Sequence, residues 1–428
     1  MLKDLIARIN LRHAKPDVPS YRIALDVGTE FVKAVFIEQA GGVATIIGVG
    51  RAQQDYADME SGAVANISGV ARCCRQAINQ GAVVAGIKPK EVVMGIAGQL
   101  VTGVTRTVLR QRQHPERALT RRELCNLVGT VRREAMKQAA DEIAEKAGFK
   151  RLDLELVNSA IVELRIDGYQ VSNPVDFRGR NVELTVFMVF APLMHVSAMK
   201  TIAQRLELDL VGLVAEPFAV AASTFTDEAY ALGSLVIDIG GGSTDIALIH
   251  RGGIINTKMA AIGGRAFTKG IADICRTTLR EAEQIKLDYA AGMETRAEVR
   301  QAIAADLQIW QDALIMGLKE IQQGIPQELG VQSGIQPGQP LPPRVVLCGG
   351  GSGLPGIIEA IASPKLVEAG VFAVIPEVRL LQTEDVFGIG DPKRFLTEVQ
   401  DVTPKSIAFQ ASLFESKGRT ILGGVQMG

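Results

Sequence analysis

Long apolar runs are missing from this chain, and nothing in it approaches the about 18 consecutive apolar residues that mark a membrane span. The first apolar residues are interrupted by charge, so no secretory leader is read there. Aromatic residues are scarce at 5%, with a single tryptophan, Trp310, set among helically spaced apolar residues and read as core. A formal net charge of -1 removes any global basic field of the kind that gathers nucleic acid. The basic run "RQRQHPERALTRRE" has no interleaved aromatics and reads as a solvated loop and helix face, so no nucleic-acid partner is expected. Five cysteines, Cys73, Cys74, Cys125, Cys275 and Cys348, show neither a CxxC pair nor metal-ligand spacing, and fit buried thiols in a reducing compartment. His13, His114, His195 and His250 are scattered and outline no metal site. No phosphate-binding loop ending in Gly-Lys-Ser/Thr occurs either.

What is present is 428 residues, too many for one core, with 47% hydrophobic and 22% charged residues as in globular proteins. At residues 235–254 the chain reads "LVIDIGGGSTDIALIHRGGI": a strand ending in Asp238, a bare glycine turn, hydroxyls, and a returning strand. The stretch "LDVGTEFVKAVFIE" around Asp26 repeats the device, which suggests two related domains facing each other. Glycines let a ligand approach backbone N–H groups, which bind phosphate oxygens. A carboxylate beside a polyphosphate repels it unless a divalent cation lies between, and magnesium is held by one or two carboxylates plus phosphates and water. Asp26 and Asp238 therefore suit a cleft that grips a Mg-nucleotide from both sides, with Lys33 as a compensating charge. Either hairpin alone is better read as a tight turn; the matched pair reverses that preference.

Three further features belong with these. "VVLCGGGSGLPGIIEAI" reads as strand, glycine turn and helix, suited to a nucleotide at a helix N-terminus. Its Gly351, Gly353 and Gly356, with Glu377 downstream, also satisfy the dinucleotide fingerprint, but that reading leaves both aspartate hairpins unexplained. "REAEQIK" places Glu283 and Lys286 on one helix face, where a solvated ion pair is the bland alternative. "AEPFAVAAS" holds Glu216 at a strand end, where a carboxylate can orient a water or merely cap a turn. Near the C-terminus, "TPKSIAFQASLFES" predicts a helix capped by Thr403 with Pro404 in its first turn.

Taken in order, "LDVGTEFVKA", "AEPFAVAA", "IDIGGGSTDIAL", "EAEQIK" and "LCGGGSGLPGI" resemble the phosphate 1, connect 1, phosphate 2, adenosine-contact and adenosine motifs of the actin-like ATPase superfamily. That resemblance implies an α/β fold of two ribonuclease-H-like domains around a Mg-ATP cleft. The finer resemblance is to FtsA, the bacterial actin-like division family: "VVMGIAGQLVTGVTRTV", a basic helix and "YQVSNPVDFRGRNVELTVFMVFAP" look like its strand-helix-strand-strand inserted subdomain, including the turn at Asn173, Pro174, Val175 and Gly179. PilM, a pilus protein, shares the insert and is the rival.

The implied division is an N-terminal segment and linker 1–20, domain 1 in 21–87 and 192–232, the insert 88–191, domain 2 in 233–269 and 341–416, a helical subdomain 270–340, and a tail 417–428. The resemblance implies that Asp26, Gly28, Thr29 and Lys33 face the phosphates and Mg from one side. Asp238, Gly240, Gly241, Gly242, Ser243 and Thr244 would face them from the other, with both aspartates reaching the ion through water. Gly263 and Gly264 would join the nucleotide site, Glu283, Lys286, Gly350, Gly351 and Ser352 would contact adenosine, and Glu216 would place the attacking water. It implies a filament-forming protein on the cytoplasmic membrane face, partnered by itself, by the C-terminal tail of the tubulin-like protein FtsZ and by other division proteins. The PilM alternative is a nucleotide-binding platform in pilus or secretion assembly.

Two departures stand out. Glu216-Pro217 and Lys33 look more like MreB, actin and the chaperone relatives than like many FtsA proteins. The ending "FESKGRTILGGVQMG" is too short and glycine-rich for the family's terminal lipid-binding helix. Instead, Leu2, Leu5, Ile6 and Ile9 share a helical face near Lys3, Arg8, Arg12 and Lys15, and residues 1–15 read as a weak interfacial anchor for anionic lipid, despite Asp4 and Leu11 on the polar side. A helix docked on the protein's own surface, or a disordered tail, is the alternative.

Overall fold

The computed structural model describes residues 19–98, 101–147, 153–171, 174–224, 233–250, 253–325, 336–414 and 425–427. The segment 1–15, Asn173 and most of the 417–428 tail lie outside the described residues.

The first lobe opens with an antiparallel meander of β1 (Ser20–Val27), β2 (Phe31–Ala40) and β3 (Val43–Gln53). Gly41 and Gly42 both take positive φ, 57° and 78°, which suits the two-residue turn joining β2 to β3. A small hairpin, β4 (Met59–Glu60) and β5 (Ala63–Val64), leads into α1 (Ile67–Ala85). This helix starts where the Asn66 side chain accepts from the Ser68 N–H and stops at Gly86 in the left-handed region. It lies tight on β3 because that strand carries "GVG": a Cβ on Gly50 would fall 1.9 Å from the Ala77 carbonyl oxygen. β6 (Glu91–Ile96) then pairs parallel to β1.

The chain now leaves for the insert: β7 (Thr102–Gln111), α2 (Arg121–Ala147), β8 (Leu154–Ile166), β9 (Tyr169–Gln170) and β10 (Asn181–Pro192). β10 lies between β7 and β8, antiparallel to both, and α2 covers one face over a core that includes Val131, Leu184, Val186 and Phe190. The chain returns through α3 (Leu193–Arg205), β11 (Asp209–Ala215) and α4 (Glu216–Thr224), with β11 parallel to β6.

The second lobe repeats the plan. β12 (Ser234–Ile239), β13 (Thr244–His250) and β14 (Gly253–Ala260) form the meander. α5 (Gly264–Cys275), α6 (Leu279–Ala290) and α7 (Ala297–Gln323) follow, and then β15 (Arg344–Cys348), α8 (Ile357–Ile361), α9 (Pro364–Glu368) and β16 (Glu377–Leu380). The sheet orders β11-β6-β1-β2-β3 and β16-β15-β12-β13-β14 match strand for strand, parallel on one side and antiparallel on the other.

Two placements differ from the linear division of the sequence. The insert interrupts the first domain, yet its edge strand β7 meets β14 through the Thr257–Gly103 bridge, and Thr105 Oγ1 donates to the Ile255 carbonyl at 2.7 Å. The insert thereby extends the second lobe's sheet, which reaches ten strands with β18 of the chain end, and covers an edge that would otherwise be unpaired. β8 also holds the first lobe, because Asn158 Oδ1 accepts from the Ala215 N–H at 2.7 Å.

The chain end, grouped by sequence with the second domain, crosses back after β16. β17 (Ile389–Gly390) pairs with β3, and α10 (Val402–Leu413) packs against α4, β1, β2 and β6. α10 is buried along nearly its whole length, and its polar groups are matched. Lys405 Nζ reaches the Thr383 carbonyl, Ser406 meets Ser223, and Arg22 of β1 donates to the Ala411 and Phe414 carbonyls. β18 (Val425–Met427) pairs parallel to β8.

Candidate nucleotide-binding cleft

Strand register places the acidic groups. In the first hairpin Asp26 sits opposite Lys33, and in the second Asp238 sits opposite Asp245. Each pair closes the strand just before a glycine turn. Asp26 and Asp238 are 8% and 5% exposed. Thr403 Oγ1, from α10, donates to Asp238 Oδ2 at 2.5 Å. Gly349, with φ 84°, lies against the same carboxylate, and a Cβ there would stand 2.2 Å from Asp238 Oδ1. Glu216 opens α4 beside Gly95, whose missing side chain leaves room for its carboxyl.

The electrostatics are those of a crowded acidic site with too little positive charge. Burial pushes Asp26 up to about 7, opposed by Lys33 and reinforced by Asp238 and Asp401. Burial and the facing Asp238 push Asp245 up to about 8. Glu216 is raised well above its ordinary range by burial and then by Asp26, Asp245 and Asp238. Asp238 is raised by burial, with the Thr403 hydrogen bond pulling the other way. Lys33 is engaged elsewhere: its Nζ bonds the Gln400 carbonyl and pairs with Asp401 at 3.2 Å. Asp401 is fully buried and also holds Arg51 at 2.8 Å.

Among the described residues, no three acidic, histidine or cysteine side chains converge to chelate an ion by themselves. A set of buried carboxylates short of positive charge, spaced too widely for direct chelation, fits a hydrated divalent cation that reaches them through water.

The phosphate 2 loop is held from below by α5. The N–H groups of Gly264 and Arg265 donate to the carbonyls of Gly240 and Gly241 at 2.9 and 2.7 Å, and Gly240 N–H donates to the Ser243 carbonyl. A Cβ on Gly263 would strike the Gly240 carbonyl oxygen at 2.5 Å. Gly263 and Gly264 thus shape the loop through backbone contacts. Lys286 Nζ donates to the Gly264 carbonyl at 3.1 Å, to Thr268 Oγ1 at 3.0 Å and to Glu283 at 2.8 Å, so the expected adenosine pair lies directly behind this loop. Gly350–Gly353 form a single 3-10 turn, with Gly351 stacked over Ile239 at the end of β12.

The side chains of two expected site residues face elsewhere. Thr244 is fully buried with its hydroxyl committed, donating to the Ile262 carbonyl at 2.7 Å and accepting from Trp310 Nε1 at 2.9 Å. Strand alternation explains this: Ser243 and Asp245 face the cleft, so Thr244 between them faces the core. The Ser352 hydroxyl turns back to the Gly349 carbonyl at 2.7 Å. Thr403 is another correction. It does not cap its helix, which starts at Val402 after Asp401, and its hydroxyl serves Asp238 instead. The dinucleotide reading of Gly351, Gly353 and Gly356 meets a helix only five residues long, α8, with Glu377 exposed at the start of β16. So short a helix supplies little dipole for a pyrophosphate.

Sequence reasoning missed Asp245, Arg265 and Asp401, and gave Thr403 a different role. Asp245 had a signal, since it follows Asp238 by the same interval that separates Lys33 from Asp26.

Two lobes of one topology, each carrying an aspartate hairpin turned towards the other, have the actin-like fold. The solved structure of the PilM-PilN type IV pilus biogenesis complex shares this fold, with a TM-score of 0.61 and 19% identity, over 93% of this chain and 99% of that one. The family model for cell division protein FtsA matches residues 235–397. FtsA of Streptococcus pneumoniae is 25% identical over 349 residues, 78% of this chain and 71% of that protein. FtsA of Enterococcus faecalis is 25% identical over 370 residues, 83% of this chain and 78% of that protein. The chain is thus similar in sequence to FtsA cell division proteins.

Proposed function

We propose that this protein binds Mg-ATP between its lobes, assembles into filaments on the cytoplasmic face of the membrane, and links the FtsZ ring and other division proteins to that surface. The observation that carries the nucleotide reading is the cluster of buried carboxylates, Asp26, Asp238, Asp245 and Glu216, gathered at two glycine turns with too little cationic charge of their own. In a bound Mg-ATP the divalent ion would supply the missing positive charge and the nucleotide the phosphoryl group to be transferred.

In this reading Asp26 and Asp238 hold the ion through water. The N–H groups around Gly28, Thr29 and Gly240 to Ser243 hold phosphate oxygens. Glu216, kept near the hairpins at the head of α4, orients a water and accepts its proton. The adenosine lies along Glu283, Lys286, Gly350 and Gly351. Lys33 moves between Asp401 and the phosphates. The division role rests on the similarity to FtsA, and the membrane role on the helical spacing of Leu2, Leu5, Ile6 and Ile9 in the sequence, an anchor that needs avidity from a polymer to hold.

The test compares the full chain with Asp238→Ala. Wild-type protein is expected to gain thermal stability with ATP-Mg and not with NAD, and to form filaments on an anionic lipid monolayer under negative stain. Asp238→Ala should lose both responses. Normal ATP-dependent assembly by that variant would remove the site. Pelleting with anionic liposomes, with and without residues 1–19, tests the anchor, and equal binding by both removes it. Retention by an FtsZ C-terminal peptide supports the division role. Retention only by the N-terminal peptide of an inner-membrane pilus protein would replace it with the PilM-like role.

A further inference from the structure

The two phosphate loops touch. A Cβ on Gly242 would lie 2.8 Å from Thr29 Oγ1, and one on Gly241 would lie 2.6 Å from Glu30 Cγ. One side chain, Arg265, stands across that contact.

Arg265 belongs to the second lobe, in the first turn of α5, and its own N–H is fixed to the Gly241 carbonyl at 2.7 Å. Its guanidinium is spent on the first lobe. Nη2 donates to the Thr29 carbonyl at 2.8 Å, Nη1 donates to the Tyr56 and Met59 carbonyls at 2.9 and 3.0 Å, and Nε pairs with Glu30. The guanidinium carbon also lies 4.1 Å from the centre of the Tyr56 ring. The residue is 8% exposed.

We infer that Arg265 is an interlobe catch: it holds the phosphate 1 loop and the segment leading into the β4–β5 hairpin against the phosphate 2 loop, and it governs the rate at which nucleotide exchanges. Opening the loops strips a buried cation of its carboxylate and its three carbonyl acceptors, a costly step because a buried charge left unpaired is strongly disfavoured. The opposite side of the cleft is built differently. There α10 carries both Thr403, bonded to Asp238, and the segment around Asp401 that holds Lys33, while packing on β1, β2 and β6. On that side one chain segment bonds both lobes, so on the loop side parting must break the Arg265 contacts. The guanidinium's planar fork is essential, because a lysine's point charge cannot reach four acceptors at once.

This inference rests on the nucleotide reading of the cleft, and its test separates the two. Full-length wild type, Arg265→Gln, Arg265→Lys, Glu30→Gln and the double variant Glu30→Gln with Arg265→Gln are loaded with a fluorescent ATP analogue and Mg, and dissociation is followed by stopped flow. Arg265→Gln is expected to speed release by about tenfold or more, the range in which loss of a buried charged contact alters off-rates. Arg265→Lys should restore part of the loss, and the double variant should fall short of the product of the two single effects. Hydrogen exchange without nucleotide provides the second readout. Amides of residues 28–31 and 54–64 should exchange faster in Arg265→Gln, while those of β12 and β15 stay protected and show the lobes still folded. Unchanged exchange at 28–31 and 54–64 overturns the catch even if wild type binds no nucleotide, which would itself overturn the cleft reading. Wild-type release rates in Arg265→Gln overturn it equally.

Discussion

Replacing Asp245 by asparagine should make the unliganded protein more stable above neutral pH and worse at holding Mg-nucleotide. Asp245 faces Asp238 across the second hairpin, and burial with that neighbouring charge lifts it from 3.8 to about 8. In the unfolded chain it titrates near its ordinary value, so between pH 4 and 8 the native state binds a proton that the unfolded state has lost. The sign follows directly. The stability this group allows is fully present below its unfolded value and is lost as pH rises towards its folded one, by at most about 1.4 kcal/mol per pH unit. Asp26, raised to about 7, acts in the same direction.

Wild-type protein should therefore lose stability steeply from pH 5 to 7.5 in chelator. Asp245→Asn should show a slope shallower by up to about 1.4 kcal/mol per unit, the contribution of one proton. Urea unfolding at four pH values across that window measures both slopes. Added Mg-ATP should reverse the ranking, because ligand stabilisation grows with affinity and the wild-type site binds the ion better. Parallel pH curves for the two proteins in chelator would refute the account of the acidic cluster.

Two other substitutions probe how the cleft is held. Thr403→Val keeps the helix and removes the hydroxyl that donates to Asp238. It should cost about 1.5–3 kcal/mol in urea unfolding, the range for a hydrogen bond to a charged group, and should weaken nucleotide binding; no change in either means Asp238 does not need that donor. Gly349→Ala puts a Cβ at φ 84° and 2.2 Å from Asp238 Oδ1. It should lower the melting temperature by several degrees, on the order of 1–3 kcal/mol, and abolish the thermal shift with ATP-Mg, and a wild-type response would show that the turn relaxes freely.

Much of the site was written locally. Asp26 and Asp238 are legible because a strand, a glycine turn and a returning strand are short-range features, and their repetition at two places signals paired lobes. Side-chain direction was legible only in principle. Strand alternation sends Thr244 to Trp310 and turns Asp245 to the cleft, but a motif reading that treats every polar residue as a ligand overlooks it.

By itself the sequence determined the two hairpins, their carboxylates and the repetition of the strand-turn-strand device, because backbone propensity and hydrophobic period act over a few neighbouring residues. Only the tertiary structure decided the rest. It brought Thr403 to Asp238 across 165 residues of chain and set Arg265 against Thr29, Glu30, Tyr56 and Met59. It also laid α10 on the first lobe and β7 on the edge of the second. The physical reason is common to these contacts. Each satisfies a buried polar group, an exposed strand edge or an apolar face with a partner distant in sequence, and that choice depends on which surfaces the folded lobes present to one another.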